Sequence, residues 1–121
     1  MPFILVADDR PLNRHFLMTL LTYYGHQVSE AGDGVEALHA ARERKPDLII
    51  ADVVMPRMDG PELVRALRAD ETLKDVPVIF YSAAAFDSDR EAGLSAGACA
   101  YVTKPGTGEL VEEVRRALDA G

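Results

Sequence analysis

Acidic, hydroxyl and ammonium side chains stand at the ends of the short apolar segments of this chain. Asp8 and Asp9 follow the first segment, and Asp52 interrupts a later segment rich in isoleucine and valine. Ser82 and Lys104 follow two further β-branched segments. If the segments are parallel strands of one sheet, these side chains meet at the edge where such sheets bind ligands. Any one aspartate could be a simple turn or cap residue, so the prediction depends on all five together.

The three carboxylates predict a bound cation. Carboxylates held close together repel one another, and a divalent ion would relieve that cost. Their oxygen ligands, with no histidine or cysteine beside them, favour Mg²⁺, with Mn²⁺ as the alternative, over zinc. Such an ion neutralises charge and orients a phosphate substrate.

The same residues fit phosphoryl transfer to a carboxylate, which needs a nucleophile and positive charge around the transferred group. Asp52 is the predicted nucleophile because apolar residues flank it on both sides. Lys104 offers a compact ammonium for a phosphoryl oxygen. Ser82 offers a hydroxyl for another oxygen.

The elements that must position these residues alternate regularly between short apolar runs and amphipathic stretches. The predicted strands are Phe3–Ala7, Gln27–Ala31, Leu48–Val54, Val76–Tyr81 and Cys99–Thr103. The first, second and fourth helices are predicted at Pro11–Gly25, Asp33–Arg44 and Ser88–Gly97. The third is predicted to start at Asp59 and to include Leu67, and the fifth to include Leu110 and Leu118. Five strands alternating with five helices predict an α/β fold, with a doubly wound parallel sheet.

Several details of these elements are further expectations. The first helix should bury the stripe Leu12, Phe16, Leu20 and Tyr24, with Leu17 and Leu21 beside it. Asp33 with Glu36, and Ser88 with Glu91, have the spacing of capping boxes. Cys99 is expected to be a small buried residue beside Tyr101.

The ordered motifs resemble those of the receiver domain of two-component response regulators, over essentially the whole length. They are Asp8-Asp9, Asp52 with Met55-Pro56 and Asp59-Gly60, Ser82-Ala83, and Lys104-Pro105. The resemblance implies the flavodoxin-like strand order 2-1-3-4-5. It also implies that a histidine kinase or phosphotransfer protein donates phosphate to Asp52, which then controls an output protein or domain.

Residue roles follow from the same resemblance. Asp9, Asp52 and the Val54 carbonyl would hold the metal, with Asp8 acting mainly through metal-bound water. Ser82 and Tyr101 would form a switch pair, in which the hydroxyl moves toward the phosphoryl group and the aromatic ring follows it inward. The bond before Pro105 would be cis.

The chain departs from the family pattern at several places, among them Val54 and Ala84, which are apolar where relatives often carry polar residues that orient the hydrolytic water. Gly106 stands where relatives carry an aromatic residue, so a looser approach to the last helix is expected. The fourth helix has little apolar bulk, which predicts a mobile element. Arg10, at a position that the family varies, is expected to face solvent.

Composition bounds the class of protein. The length of 121 residues predicts one receiver domain over 1–121. A net charge of −7 with scattered bases argues against nucleic-acid binding by this segment. The first apolar run lacks a basic leader and is too short for a membrane span, and Cys99 is the single cysteine, so a cytoplasmic protein is expected.

Three other readings compete. A flavodoxin-like cofactor binder would need a phosphate cradle where this chain has carboxylates, and no glycine-rich nucleotide motif is present. A histidine phosphorelay protein would carry its histidine on a helical bundle. A receiver fold used only as an interaction scaffold, without phosphorylation, is the main alternative. As a phosphoacceptor, the chain would assist its own phosphorylation and dephosphorylation and would not be an enzyme with a separate substrate.

Overall fold

The computed structural model describes residues 1–120, so the last residue of the predicted domain 1–121 lies outside the described part. Strands and helices alternate along the chain. The strands are β1 (Phe3–Ala7), β2 (Gln27–Ala31), β3 (Leu48–Ala51), β4 (Val78–Ser82) and β5 (Ala100–Thr103). The helices are α1 (Pro11–Tyr23), α2 (Gly34–Glu43), α3 (Gly60–Arg68), α4 (Asp87–Ser95) and α5 (Thr107–Ala120).

The five strands form one parallel sheet in the order β2-β1-β3-β4-β5. This order confirms the predicted topology and fold class. The central strands β1, β3 and β4 are buried at every residue, as expected for strands covered on both faces. All five carboxyl ends therefore point to the same edge.

Helices pack on both faces of the sheet. Leu17 and Leu21 of α1 join Leu110 and Val114 of α5 in one core cluster. The opposite cluster contains the buried residues of α2 and α3 together with Phe80 and Tyr101. Helix α4 lies on this second face, where Gly93 approaches both aromatic rings. No helix within residues 1–120 is long and apolar enough to cross a membrane.

The predicted buried stripe of α1 is wrong. Leu12 is 84% exposed, Phe16 42% and Tyr24 51%, whereas Leu17 and Leu21 are buried. Leu20 is partly buried beside them. Two neighbouring apolar stripes have the same helical spacing, and only packing against the sheet decides between them.

Three strands also differ from prediction at their ends. Strand β3 ends at Ala51 because the chain turns, with the Val53 carbonyl accepting a bond of 2.8 Å from the Gly60 N–H. Strand β4 begins at Val78, after Pro77, which has no N–H for the ladder, and it includes Ser82. Strand β5 begins at Ala100.

Cys99 is exposed and not buried, because its neighbours Ala98 and Ala100 are the residues that reach the core. The predicted cap of α4 at Ser88 is wrong as well. The helix begins after Phe86, whose N–H donates to the Asp89 carboxylate at 3.1 Å. In contrast, Asp59 and Glu62 form a complete capping box at α3.

The cap of α2 is confirmed in part. The Asp33 carboxylate accepts a bond of 2.9 Å from the Glu36 N–H. The reciprocal bond goes to a different residue, since the Glu36 carboxylate accepts from the Gly32 N–H at 3.2 Å. Asp33 therefore keeps one carboxylate oxygen for another partner.

Candidate functional site

The predicted site residues lie at the carboxyl edge of the sheet or in the loops that leave it, except Tyr101, which lies within β5. Asp8 and Asp9 follow β1, and Asp52 follows β3. Ser82 is the last residue of β4, and Lys104 follows β5. The parallel register of the strands brings these five positions to a common edge.

The three aspartates form one cluster. Asp8, Asp9 and Asp52 each offer a carboxylate oxygen, and these oxygens lie within 4.8 Å of one another. Asp8 is 2% exposed, Asp52 is half-buried and Asp9 is exposed. A cation could therefore reach the cluster from the side of Asp9.

Lys104 is the positive charge nearest this cluster. Its ammonium Nζ lies 3.0 Å from Asp8 Oδ2 and 3.0 Å from Asp52 Oδ2. Burial alone lowers the pKa of Lys104, but the bonds to the two carboxylates more than offset this effect and raise the pKa above its ordinary value. The lysine is therefore a permanent cation between the two acids.

The remaining carboxylate oxygens differ in their engagement. Asp8 Oδ1 accepts from the Arg10 N–H at 2.9 Å, and Asp52 Oδ1 accepts from the Val53 N–H at 2.7 Å. Within residues 1–120, the Asp9 carboxylate accepts no hydrogen bond. An all-oxygen donor set with one uncommitted, exposed carboxylate fits a hard divalent ion that retains several waters.

Ser82 and Tyr101 are linked through one residue of the β4–α4 loop. The Ser82 Oγ accepts from the Ala84 N–H at 3.2 Å, and the Tyr101 hydroxyl donates to the Ala84 carbonyl at 2.8 Å. Tyr101 is only 3% exposed, so its ring already lies inward. A half-buried aromatic with only a packing role in β5 is the alternative for this residue, and its burial is more complete than that.

The ring of Tyr101 fills space that Gly93 leaves open. A Cβ atom built on Gly93 would lie 2.7 Å from Tyr101 Cδ2 and 3.0 Å from Phe80 Cδ2. Any larger residue at position 93 would therefore have to displace an aromatic ring or the helix.

Sequence reasoning missed Tyr81, which reads as one more apolar residue of β4. It is 4% exposed, its hydroxyl donates to the Pro105 carbonyl at 2.7 Å, and its ring centroid lies 5.5 Å from Lys104 Nζ. Both contacts hold the segment that carries the lysine. The signal available in the sequence was a phenol inside a buried strand, because such a hydroxyl needs a partner.

Arg14 was also missed. Its Nη1 donates to the Asp8 carbonyl at 2.7 Å, and its Nε pairs with Glu30 at 2.7 Å. It supports the backbone of the acidic pair from α1. Arg10, in contrast, is exposed, as expected.

The Lys104–Pro105 bond is cis, as the family resemblance implies. The contacts of Gly106 do not support the predicted loose approach to the last helix. A Cβ on Gly106 would lie 2.6 Å from the Thr103 carbonyl oxygen, and the Gly106 carbonyl accepts from the Leu110 N–H at 2.9 Å. The glycine thus fits a close turn that leads directly into α5.

Comparison with known proteins gives a consistent result. The family model described as the response regulator receiver domain matches residues 4–115. The response regulator MprA of Mycobacterium sp. (strain KMS) is 42% identical over 116 residues, which are 95% of this chain and 50% of that protein. The sensor protein EvgS of Escherichia coli (strain K12) is 44% identical over 109 residues, 90% of this chain and 9% of that protein.

Solved structures agree with these relatives. The receiver domain of the sensor histidine kinase PA1611 from Pseudomonas aeruginosa PAO1 superposes with a TM-score of 0.89 and 33% identity, covering 98% of each chain. That structure is described as having a magnesium ion coordinated in its active-site cleft. The present chain spans half or less of the length of the two curated relatives, MprA and EvgS.

Proposed function

The chain belongs to the response regulator receiver domain family of two-component signalling, and we propose from this premise that Asp52 is its phosphoacceptor. The observation that carries the proposal is the position of Lys104 Nζ, 3.0 Å from both Asp8 and Asp52, within a cluster of three carboxylates. A surface cap or turn would not need a mostly buried lysine between two acids.

The proposed reaction moves one phosphoryl group. An oxygen of the Asp52 carboxylate attacks the phosphorus of a phosphohistidine on a histidine kinase or phosphotransfer protein. A phosphorus–oxygen bond forms, and the phosphorus–nitrogen bond breaks, returning its electron pair to the imidazole. Lys104 then changes from a partner of the free carboxylate to a partner of the phosphoryl oxygens.

The metal part of the proposal concerns Mg²⁺, with Mn²⁺ as a possible substitute. Asp9, Asp52 and the Val54 carbonyl would hold the ion, and Asp8 would act mainly through its water. When bound, the ion neutralises carboxylate charge and orients the phosphoryl oxygens. The exposed Asp9 carboxylate supports this assignment, because it has no competing hydrogen bond within residues 1–120.

We propose that Ser82 and Tyr101 report phosphorylation to the surface. The Ser82 hydroxyl accepts a hydrogen bond of 3.2 Å from the Ala84 N–H. If this hydroxyl turns toward the new phosphoryl group, that bond breaks. Ala84 lies in the β4–α4 loop, and its carbonyl accepts from the Tyr101 hydroxyl. A shift of Ala84 therefore alters both this loop, which leads into α4, and the hydrogen bond of Tyr101. Phosphorylation thereby biases a two-state equilibrium that a partner can read.

The output is a separate protein or domain, since this chain matches only part of its longer relatives. In this role the chain assists its own phosphorylation and dephosphorylation and turns over no separate substrate. A cytoplasmic location stays a prediction. The competing function is an interaction scaffold with the same fold that is never phosphorylated.

Mass spectrometry after incubation with a small phosphodonor and Mg²⁺ separates these functions. The wild-type chain should gain one phosphoryl group, and Asp52→Asn should gain none because it lacks the nucleophile. Asp47→Asn is the control, since Asp47 precedes β3 at the opposite edge of the sheet. A wild-type chain that remains unmodified with the ion and donor present would favour the scaffold.

A further inference from the structure

The loop from Asp52 to Asp59 contains a residue in an unusual backbone conformation. Arg57 has a φ of 67°, in the left-handed region that residues with a side chain seldom adopt. The loop also contains Val54, whose carbonyl is a proposed metal ligand. A conformation of this kind persists only where surrounding contacts hold it.

The side chain of Arg57 supplies one such contact. Its Nε donates to Asp33 Oδ2 at 2.8 Å, and its Nη2 lies 3.9 Å from Glu36 Oε2. Asp33 is 6% exposed, and its Oδ1 caps α2 through the Glu36 N–H. One carboxylate therefore fastens the metal loop to the first turn of α2.

The backbone follows the same path. The Gly34 N–H donates to the Met58 carbonyl at 3.1 Å, and a Cβ on Gly34 would lie 2.3 Å from that oxygen. On the other side of Val54, the Gly60 N–H donates to the Val53 carbonyl at 2.8 Å. The segment around Val54 is thus fastened at both ends, and Arg57 provides the side-chain fastening at one of them.

We propose that Arg57 is a positioning residue that acts through Asp33 to hold the Val54 carbonyl in the direction that the divalent ion requires. The proposal rests on the proposed function, which assigns that carbonyl to the ion. A backbone carbonyl cannot rotate independently of its loop, and Mg²⁺ tolerates little departure from octahedral geometry. Removing a supporting residue outside the ligand set typically weakens metal binding about 10–100-fold.

Arg57→Gly is the decisive variant. Glycine accepts the left-handed conformation without penalty, so the change removes the ion pair while leaving the backbone free to keep its shape. We expect the thermal midpoint to stay close to that of wild type, because relief of the left-handed strain at φ 67° offsets the loss of the ion pair with Asp33. The dissociation constant for Mn²⁺ should rise about tenfold. The free Mn²⁺ signal in electron paramagnetic resonance measures the affinity, and circular dichroism measures the thermal midpoint.

Arg42→Ala is the matched control. Arg42 Nε pairs with Asp70 Oδ2 at 3.2 Å, so it also joins α2 to a neighbouring segment but does not contact the metal loop. Its Mn²⁺ affinity should equal that of wild type. Arg57→Lys, which keeps a cation near Asp33, should recover part of the affinity that Arg57→Gly loses.

A double-mutant cycle with Asp33→Asn tests the route of the effect. Asparagine can still cap α2 but has no charge for Arg57. If Arg57 acts through Asp33, the double variant should bind Mn²⁺ no more weakly than the weaker single variant. Additive losses would contradict this route.

Two outcomes separate this inference from the proposed function. Normal Mn²⁺ binding by wild type together with unchanged binding by Arg57→Gly would overturn the inference alone. A wild-type chain that binds no Mn²⁺ and takes no phosphoryl group would overturn both. Equal weakening in Arg57→Gly and Arg42→Ala would show that loosening any ion pair of α2 lowers the affinity, and it would also overturn the positioning role.

Discussion

Helices α3 and α4 lie on the same face of the sheet, but they differ in their caps and in how many residues they bury. Helix α3 has a complete capping box and buries Leu63, Val64 and Leu67. Helix α4 buries only Gly93, and its one cap bond comes from the Phe86 N–H to Asp89.

The two sides of the proposed site therefore differ in how firmly they are held. Asp52, the proposed nucleophile, and the loop that follows it lie on the side of α2 and α3, where packing and ion pairs hold them. Helix α4 approaches the buried rings of Tyr101 and Phe80 at Gly93, and Arg90 Cζ lies over the Tyr101 ring, 6.0 Å from its centroid. A weakly packed element is the one that a modest free-energy change can move.

The largest expected difference concerns core packing. Leu67→Ala in α3 should lower the free energy of unfolding by about 2–5 kcal/mol, because Leu67 is fully buried. Leu94→Ala in α4 should change it by less than about 0.5 kcal/mol, since Leu94 is 42% exposed. Urea denaturation followed by circular dichroism gives both values. Equal losses would remove the contrast between the helices.

The contact between α4 and Tyr101, the proposed switch residue, is the next test. Gly93→Ala should destabilise the fold by about 1–3 kcal/mol through overpacking and should displace the Tyr101 ring. Gly108→Ala in α5 is the control, because a Cβ at this position would meet nothing within 4 Å. This substitution should stabilise the helix by up to about 1 kcal/mol. Nuclear magnetic resonance of the Tyr101 ring protons reports its position. An undisturbed ring in Gly93→Ala would contradict the proposed contact.

Helix capping gives a smaller contrast. Asp59→Ala should cost about 1 kcal/mol, since its carboxylate accepts from the Glu62 N–H at 2.8 Å. Ser88→Ala should change stability by less than about 0.5 kcal/mol, because α4 begins before this exposed serine. Thermal unfolding of the two variants compares them directly. A large loss in Ser88→Ala would restore the cap that the sequence suggested.

The smallest expected effect is the pH dependence of stability that comes from Asp33, at the start of α2. Burial raises the pKa of Asp33, but the bond from Arg57 and the Glu36 N–H more than offset this, so the net pKa lies below its ordinary value of 3.8. A lowered pKa in the folded state stabilises the protein above pH 3.8, and this stabilisation is lost as the pH falls through the folded value.

Asp33→Asn should therefore be less stable than wild type at neutral pH, and the gap should narrow in strong acid. Thermal midpoints across the pH range measure this gap. Asp87→Asn on α4 is the comparison, because Asp87 is exposed and makes no ion pair within residues 1–120. A constant gap for Asp33→Asn at every pH would contradict the role of its charge.

The order of the elements and the positions of the candidate site residues could be predicted from the sequence alone. Strand and helix periods are local, and Asp8, Asp9, Ser82 and Lys104 each stand beside a strand end that can be predicted from its own neighbours, while Asp52 is the single acid in an apolar run. Because all parallel strands end at one edge, their convergence followed from the fold class without any knowledge of the contacts.

The buried stripe of α1, the end of β3 and the inward position of Tyr101 depend on tertiary packing. The tertiary structure also revealed the partners of Arg57 and Tyr81, which lie 24 residues away in Asp33 and Pro105. No local pattern encodes such pairs, because a side chain's partner depends on which surfaces the folded chain brings together. These long-range contacts are the ones that position the predicted chemistry.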